Sequence, residues 1–380
     1  MTRLLVITEL FLPTKGGTAV WAAEVYKRLG GKEIHIVTAD VPGAAEVDAT
    51  HPNTIHRLDF RRVPWLRPES LGIYIRLFAK AMWLSVTHRF DAIHGFRALP
   101  EGLVSWAVAR LAFRPVVIYA HGEELTSWGR GHKYQAMRFA LRHADRVVAN
   151  SEHTSNTLLS MGVTPTHVVV IHPGVDESAF HPGLDVSGLR ERLGIAAGER
   201  LVFSVGRLSR RKGFDQVIRA VAELRLEHVP VHYAIAGIGE DADYLHGLIR
   251  EYHLQGVVHM LGAVDARDLP RWMNTCDVFA MPNREINGDN EGFGMVFIEA
   301  AACGKPSLAG EAGGTASAVL NEITGLRVDG ASLEAVTSGL RRLLNDVDWA
   351  AALGEAGRVR VSNEFGWSRV ADKTLAQATG

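Results

Sequence analysis

A chain of 380 residues is longer than one hydrophobic core usually fills, so it divides into two domains of ordinary size. Hydrophobic residues at 47% against 22% charged exclude a disordered chain, and a formal net charge of -1 excludes the overall basic field that draws proteins onto nucleic acid. Two cysteines without metal-ligand spacing, Cys276 and Cys303, argue against a disulfide scaffold and suit a reducing, cytoplasmic setting.

The apolar run at residues 4–8 is too short for a signal-peptide core. The stretch 73–86, interrupted by Arg76 and Lys80, is too short for a bilayer core of about 30 Å at ~1.5 Å per helical residue. Short β-branched runs at 4–7, 34–37, 116–119, 146–149 and 168–171 alternate with helically spaced segments. That rhythm predicts βαβ units and a parallel sheet covered on both faces. It breaks at His172-Pro173-Gly174-Val175-Asp176 and Phe180-His181-Pro182-Gly183, where Pro and Gly suppress regular structure, then restarts with runs at 201–205, 231–236, 257–261 and 278–280. The expected fold class is α/β: a Rossmann-like domain over 1–172, a linker over 173–183, a second Rossmann-like domain over 184–358, and a helical segment over 359–380. Ser368 is the expected N-cap of the closing helix, residues 370–379, and its spacing leaves open a return to the first domain. Two doubly wound domains facing each other place the carboxyl ends of their strands on a central cleft, where open α/β sheets bind ligands.

Three glycine-bearing segments stand where such strands end. Lys15-Gly16-Gly17-Thr18 precedes a helical stretch whose uncapped N–H groups suit an anion or an acceptor, although an ordinary strand-to-helix turn uses the same residues. The segment 206–215 places Arg207, Arg210, Arg211 and Lys212 at a strand end and helix start; a diphosphate would compensate Arg207 and Lys212, while Arg210 and Arg211 read as a solvated loop. The third segment opens with Glu291, Gly292, Phe293, Gly294, Met295 and Val296 and continues to Glu299 inside an apolar helix. Amides freed at 292–296 can hold phosphate, and carboxylates can hold sugar hydroxyls. Burial of an unpaired Glu299 carboxylate is expensive, which marks it as more than a solvated side chain.

The set Gly16-Gly17, His121, Arg207 with Lys212, and Glu291 with Glu299 resembles the large GT-B family of retaining glycosyltransferases, family 4-like (glycosyl transferases group 1), which includes sucrose-phosphate synthases and bacterial mannosyltransferases. The resemblance runs from the first glycine loop to Gly313-Gly314. It implies a GT-B fold, with an acceptor-binding first domain and a second domain that binds a nucleotide diphosphate sugar. It implies that Arg207 and Lys212 bind the diphosphate, Glu291 contacts the transferred sugar, Glu299 holds the ribose hydroxyls, and His121 lies close to the reacting sugar. The catalytic set is then His121, Arg207, Lys212 and Glu291. The donor set adds Gly16, Gly17, the backbone near Gly262 and Val264 for the base, and Gly292, Phe293, Gly294, Met295 and Val296. Two positions depart from the pattern: Ser317 stands where many relatives carry an acidic residue, and Phe96 where a histidine often follows His94.

The expected activity is transfer of a hexose, mannose from GDP-mannose in the first instance, to a lipid or glycan acceptor in cell-envelope or polysaccharide synthesis. No metal and no cofactor beyond the donor are expected. A UDP-sugar donor is the alternative, followed by a nucleotide-sugar epimerase or hydrolase and by a non-enzymatic glycan-binding protein. Asp241-Ala242-Asp243 and Asp346-Val347-Asp348 resemble a metal-binding Asp-x-Asp, but both sit where a helix begins and acidic side chains favour its dipole. Gly237-Ile238-Gly239 lacks the third glycine of a dinucleotide fingerprint and reads as a turn. The stretch 71–89 mixes Ile73, Ile75, Leu77, Phe78 and Trp83 with Arg76, Lys80 and Arg89; it reads as core or as a peripheral contact with the inner face of an anionic membrane.

Overall fold

The computed structural model describes residues 2–61, 69–126 and 131–378; Thr379, the end of the expected closing helix, lies outside them. Contacts group the chain into two units, Met1–Pro173 with Trp367–Gly380, and Gly174–Gly366.

Unit 1 is built on strands β1 (Leu4–Ile7), β2 (Ile34–Ala39), β3 (Thr54–Leu58), β4 (Ala92–Gly95), β5 (Val116–Ala120), β6 (Arg146–Ala149) and β7 (Val168–Val170), in the order β3-β2-β1-β4-β5-β6-β7. All its pairings are parallel. Every residue of β1, β2, β4 and β5 is buried, so these strands show no alternation of buried and exposed positions. Each fully buried Leu, Val or Ile contributes about 1.5–3 kcal/mol. Strand β4, Ala-Ile-His-Gly, has little intrinsic strand preference; it is fixed by its register with β1, Leu4 against Ala92 through Ile7 against Gly95.

The helix Gly17–Leu29 packs against the last helix, Trp367–Ala378, within this unit, and the Tyr119 hydroxyl donates to Thr374 Oγ1 at 3.3 Å. Because that last helix begins at Trp367, Ser368 lies inside its first turn and not ahead of it as the sequence suggested. The helix Leu71–Thr87 buries Ile73, Leu77, Ala81 and Leu84. Its opposite side leaves Ile75, Trp83 and Val86 exposed at 56%, 53% and 78%, so only half of this helix is core.

Unit 2 repeats the plan with β8 (Arg200–Val205), β9 (Val231–Ala236), β10 (Val258–Gly262), β11 (Val278–Met281), β12 (Ser307–Gly310) and β13 (Leu326–Val328), all parallel, in the order β10-β9-β8-β11-β12-β13. Its core gathers Phe203, Phe214, Val217, Tyr233, Phe279 and Phe297 between sheet and helices. The helix Val347–Glu364 runs through residue 358, where the sequence reading ended this domain. Residues 174–183 also group with unit 2, because Val175 is buried and its N–H donates to the Phe365 carbonyl at 2.9 Å. Asp346 caps Val347–Glu364 by accepting from Trp349 N at 3.1 Å, and Asp241, just ahead of the helix Ala242–Glu251, accepts from Arg210 Nε at 3.2 Å. Both Asp-x-Asp motifs therefore have structural work.

The winding reverses between β1 and β4 in one sheet and between β8 and β11 in the other. Ligands of doubly wound sheets bind beyond the strand ends at such reversals.

Candidate active site

In unit 2 the chain beyond β8 carries residues 206–212, and the chain beyond β11 carries 282–291, so the reversal brings Lys212 and Glu291 together. Lys212 Nζ donates to Glu291 Oε2, and Arg211 Nη1 donates to the same oxygen at 2.9 Å. Arg211 Nε also pairs with Asp289 Oδ2 at 3.1 Å. All three central side chains are nearly enclosed, at 12% exposure for Lys212 and Glu291 and 13% for Arg211. Burial pushes the Glu291 carboxyl up, but the charges of Lys212 and Arg211 outweigh it and hold the group below its ordinary range.

Close backbone approach sets this geometry. A Cβ on Gly213, which has φ +77°, would lie 2.1 Å from the Pro282 carbonyl oxygen, and one on Gly313, with φ +71°, would lie 2.2 Å from that of Glu291. Gly314 N donates to the same Glu291 carbonyl at 2.7 Å. Buried Asn283 ties the β11 loop to the β12 loop, receiving Gly310 N at 3.2 Å and donating to Ala312 O at 2.8 Å. Beneath Arg211, its carbonyl accepts from Arg284 N at 2.8 Å, and the Arg284 guanidinium binds buried Asp215 at 2.8 Å.

Arg207 does not join this group. Its side chain is 72% exposed and pairs with Glu240 Oε2 at 2.9 Å, a surface contact worth ~0–1 kcal/mol and readily exchanged for another anion. Arg211, read from sequence as solvated, is instead inside the site. Arg210 turns away and lies over the Tyr244 ring.

The helix Met295–Ala302 starts after Gly294 without a side-chain cap, and first-turn amides have no intrahelical partner. Glu299 lies on it with a buried Oε2 that has no hydrogen-bond partner, and burial raises its carboxyl to about 7. Phe293 is buried with its ring edge-on to Phe365, so its side chain belongs to the core. The Gly262 carbonyl at the end of β10 accepts from Gly237 N at 2.7 Å, and Val264 follows on the same loop, packed at the edge of the core.

In unit 1, Gly16 precedes the helix beginning at Gly17, no side chain caps it, and a Cβ at Gly16 would meet nothing within 4 Å. His121 follows β5. Its Nε2 donates to the Phe96 carbonyl at 2.7 Å, its backbone N–H donates to buried Glu124 at 2.9 Å, and its ring meets Trp21 edge-on. With Nε2 as the donor, Nδ1 is the acceptor of the ring; burial lowers the imidazole's pKa and keeps it neutral. The Phe96 ring stacks on Tyr119, so at this departure from the family pattern the side chain is core and the backbone oxygen orients His121.

A buried cation–carboxylate group and uncapped amides thus stand at the reversal of one doubly wound sheet, and an open glycine turn and an oriented histidine at the strand ends of another. Residues 15–179 match the model described as Glycosyltransferase Family 4, and residues 186–360 the model described as Glycosyl transferases group 1. The chain is 31% identical to the GDP-mannose-dependent alpha-(1-6)-phosphatidylinositol monomannoside mannosyltransferase of Mycolicibacterium smegmatis, covering 96% of this chain and 95% of that protein. It is 30% identical to the D-inositol 3-phosphate glycosyltransferase of Thermobispora bispora, covering 94% and 88%. The protein belongs to glycosyltransferase family 4. Its fold matches the crystal structure of Anabaena Alr3699/HepE in complex with UDP, with a TM-score of 0.84 at 22% identity over 99% of both chains. It also matches sucrose-phosphate synthase from Thermosynechococcus elongatus, with a TM-score of 0.81 at 23% identity over 99% and 98%.

Proposed function

We propose that this glycosyltransferase is a retaining, metal-independent enzyme that moves mannose from GDP-mannose to a lipid or glycan acceptor in cell-envelope or polysaccharide synthesis, on the cytoplasmic side of the membrane. The observation that carries the reading is the Lys212–Glu291 contact at the β8/β11 reversal. The choice of donor is supported by the full-length similarity to a GDP-mannose-dependent enzyme.

The bond from the sugar's anomeric carbon to the diphosphate breaks through an oxocarbenium-like state, so negative charge grows on the leaving phosphate. Lys212 and the amides at 292–296 stabilise that charge, the work a divalent metal does in other sites. Glu291 holds the transferred sugar and Glu299 the ribose hydroxyls. Arg207 exchanges Glu240 for a phosphate oxygen. In unit 1, His121 and the Gly16–Gly17 turn serve the reacting sugar and the acceptor. The acceptor hydroxyl attacks from the face the diphosphate leaves, and its proton passes to the leaving phosphate. The enzyme needs no cofactor beyond the donor. We extend the proposal to peripheral membrane contact through the helix Leu71–Thr87, supported by its exposed Ile75, Trp83 and Val86 and by Lys80 lying 4.4 Å from the Trp83 ring centre. No described helix is long and apolar enough to cross a membrane.

The test is thermal stabilisation by GDP, UDP, ADP and their sugar conjugates, since a ligand at one hundred times its Kd stabilises by about 2.7 kcal/mol. The expected result is a shift with the guanosine compounds that Lys212→Ala abolishes, with transfer falling about 10²–10³-fold in Lys212→Ala and Glu291→Ala. A shift with uridine compounds alone replaces GDP-mannose by a UDP-sugar. Free sugar as the product, even with acceptors present, makes the protein a hydrolase, and no shift with any nucleotide makes it a glycan-binding protein.

A further inference from the structure

Two cations converge on one oxygen of Glu291, and they are held differently. The Arg211 guanidinium is fixed at two points, Nη1 on Glu291 and Nε on Asp289, and its backbone is fixed by Arg284. Lys212 is a compact ammonium on a flexible stem, with Glu291 as its carboxylate partner. Of the two, Lys212 is the one free to exchange partners.

We propose that Arg211 is a positioning residue that keeps Glu291 paired when Lys212 moves from Glu291 to the donor's diphosphate. The inference rests on the reading of unit 2 as the donor site. Before donor binding, Lys212 and Arg211 share the Glu291 oxygen. When the diphosphate draws Lys212 away, Arg211 stays, so Glu291 remains an ionised acceptor for the sugar's hydroxyls. Without Arg211, the same movement would strand a buried carboxylate, which takes up a proton in place of a lost cation. The charged groups facing Glu291 are Lys212 and Arg211 from the turn Arg210–Lys212, with Asp289 behind Arg211 on Glu291's own loop. The Gly313–Gly314 segment packed against its backbone carries no charge.

The experiment is calorimetric binding of GDP-mannose and UDP-glucose to the full chain between about pH 5.5 and 8, in buffers of different ionisation enthalpy. Both ligands are diphosphate diesters without a phosphate group that titrates there. The wild type and Arg211→Lys are expected to bind the preferred donor with a pH-independent Kd and no proton uptake. Arg211→Gln is expected to take up a proton on binding, its Kd weakening by up to ~10-fold per pH unit as pH rises. A pH-independent Kd in Arg211→Gln, or proton uptake equal in Arg211→Lys and Arg211→Gln, overturns the proposal and leaves the donor site standing. Failure of the wild type to bind either donor overturns both. Should Arg211→Gln not fold, adding Asp289→Asn removes the second carboxylate left without its guanidinium, and the same proton uptake and pH-dependent Kd are expected of that double variant; a pH-independent Kd in it also overturns the proposal.

Discussion

Glu299→Gln tests the Glu299 carboxylate, whose buried Oε2 has no hydrogen-bond partner, without disturbing its shape. Burial lifts the Glu299 carboxyl from the usual 4.5 to about 7 in the folded chain. Between those values the folded state holds a proton that the unfolded chain has released, so stability falls as pH rises through this window. At ~1.4 kcal/mol per pKa unit the shift makes at most about 3 kcal/mol, present below the unfolded value and lost above the folded one. Glutamine keeps the volume and does not titrate. The wild type should therefore lose about 2–3 kcal/mol relative to the variant between about pH 4.5 and 8, measured by chemical denaturation; the comparison cancels the other titrating groups. Saturating nucleotide, whose ribose hydroxyls would donate to the carboxylate, should flatten that slope. A stability difference that does not move with pH, or one in which the wild type gains with rising pH, refutes the reasoning.

Gly313→Ala should destabilise unit 2 by about 2 kcal/mol or more, because the new Cβ sits 2.2 Å from the Glu291 carbonyl at a left-handed φ. Transfer should fall further than the loss of folded protein explains, since the displaced atom belongs to Glu291, and an unchanged unfolding midpoint would count against the close approach. Vesicles containing anionic lipid should sediment the wild type and leave Trp83→Ser/Val86→Ser in the supernatant at high salt and low. Equal sedimentation of the two would remove the helix Leu71–Thr87 as the contact.

The strands that carry runs of Val, Ile and Leu were legible in the sequence, because burial on both faces demands such runs. Strands β3, β4, β12 and β13 were not: Ala-Ile-His-Gly and Ser-Leu-Ala-Gly acquire strand geometry from the neighbours they pair with. The family resemblance singled out Lys212 and the two glutamates, but nothing in three consecutive cations says that Arg211 would meet Lys212 on Glu291 and Arg210 would not. In a tight turn of three residues, side chains of successive positions diverge by about a third of a circle. Long side chains let Arg211 and Lys212 converge on Glu291 all the same, while Arg210 lies over Tyr244, and nothing in the letters says which would do so. Arg207 found Glu240, a partner 33 positions away. The Phe96 carbonyl that orients His121 was also illegible, since every residue carries one.

The grouping of Trp367–Gly380 with residues 1–173 sets the order in which the protein can be completed. The first unit's chain leaves the ribosome early, yet the helix that covers Gly17–Leu29 and meets Tyr119 is translated only after all of unit 2. Until then an apolar surface of unit 1 waits uncovered through the synthesis of all of unit 2. Emergence of residues 367–378, rather than of the first sheet, is the event that closes that surface, and termination anywhere in unit 2 leaves it open to chaperones and to aggregation.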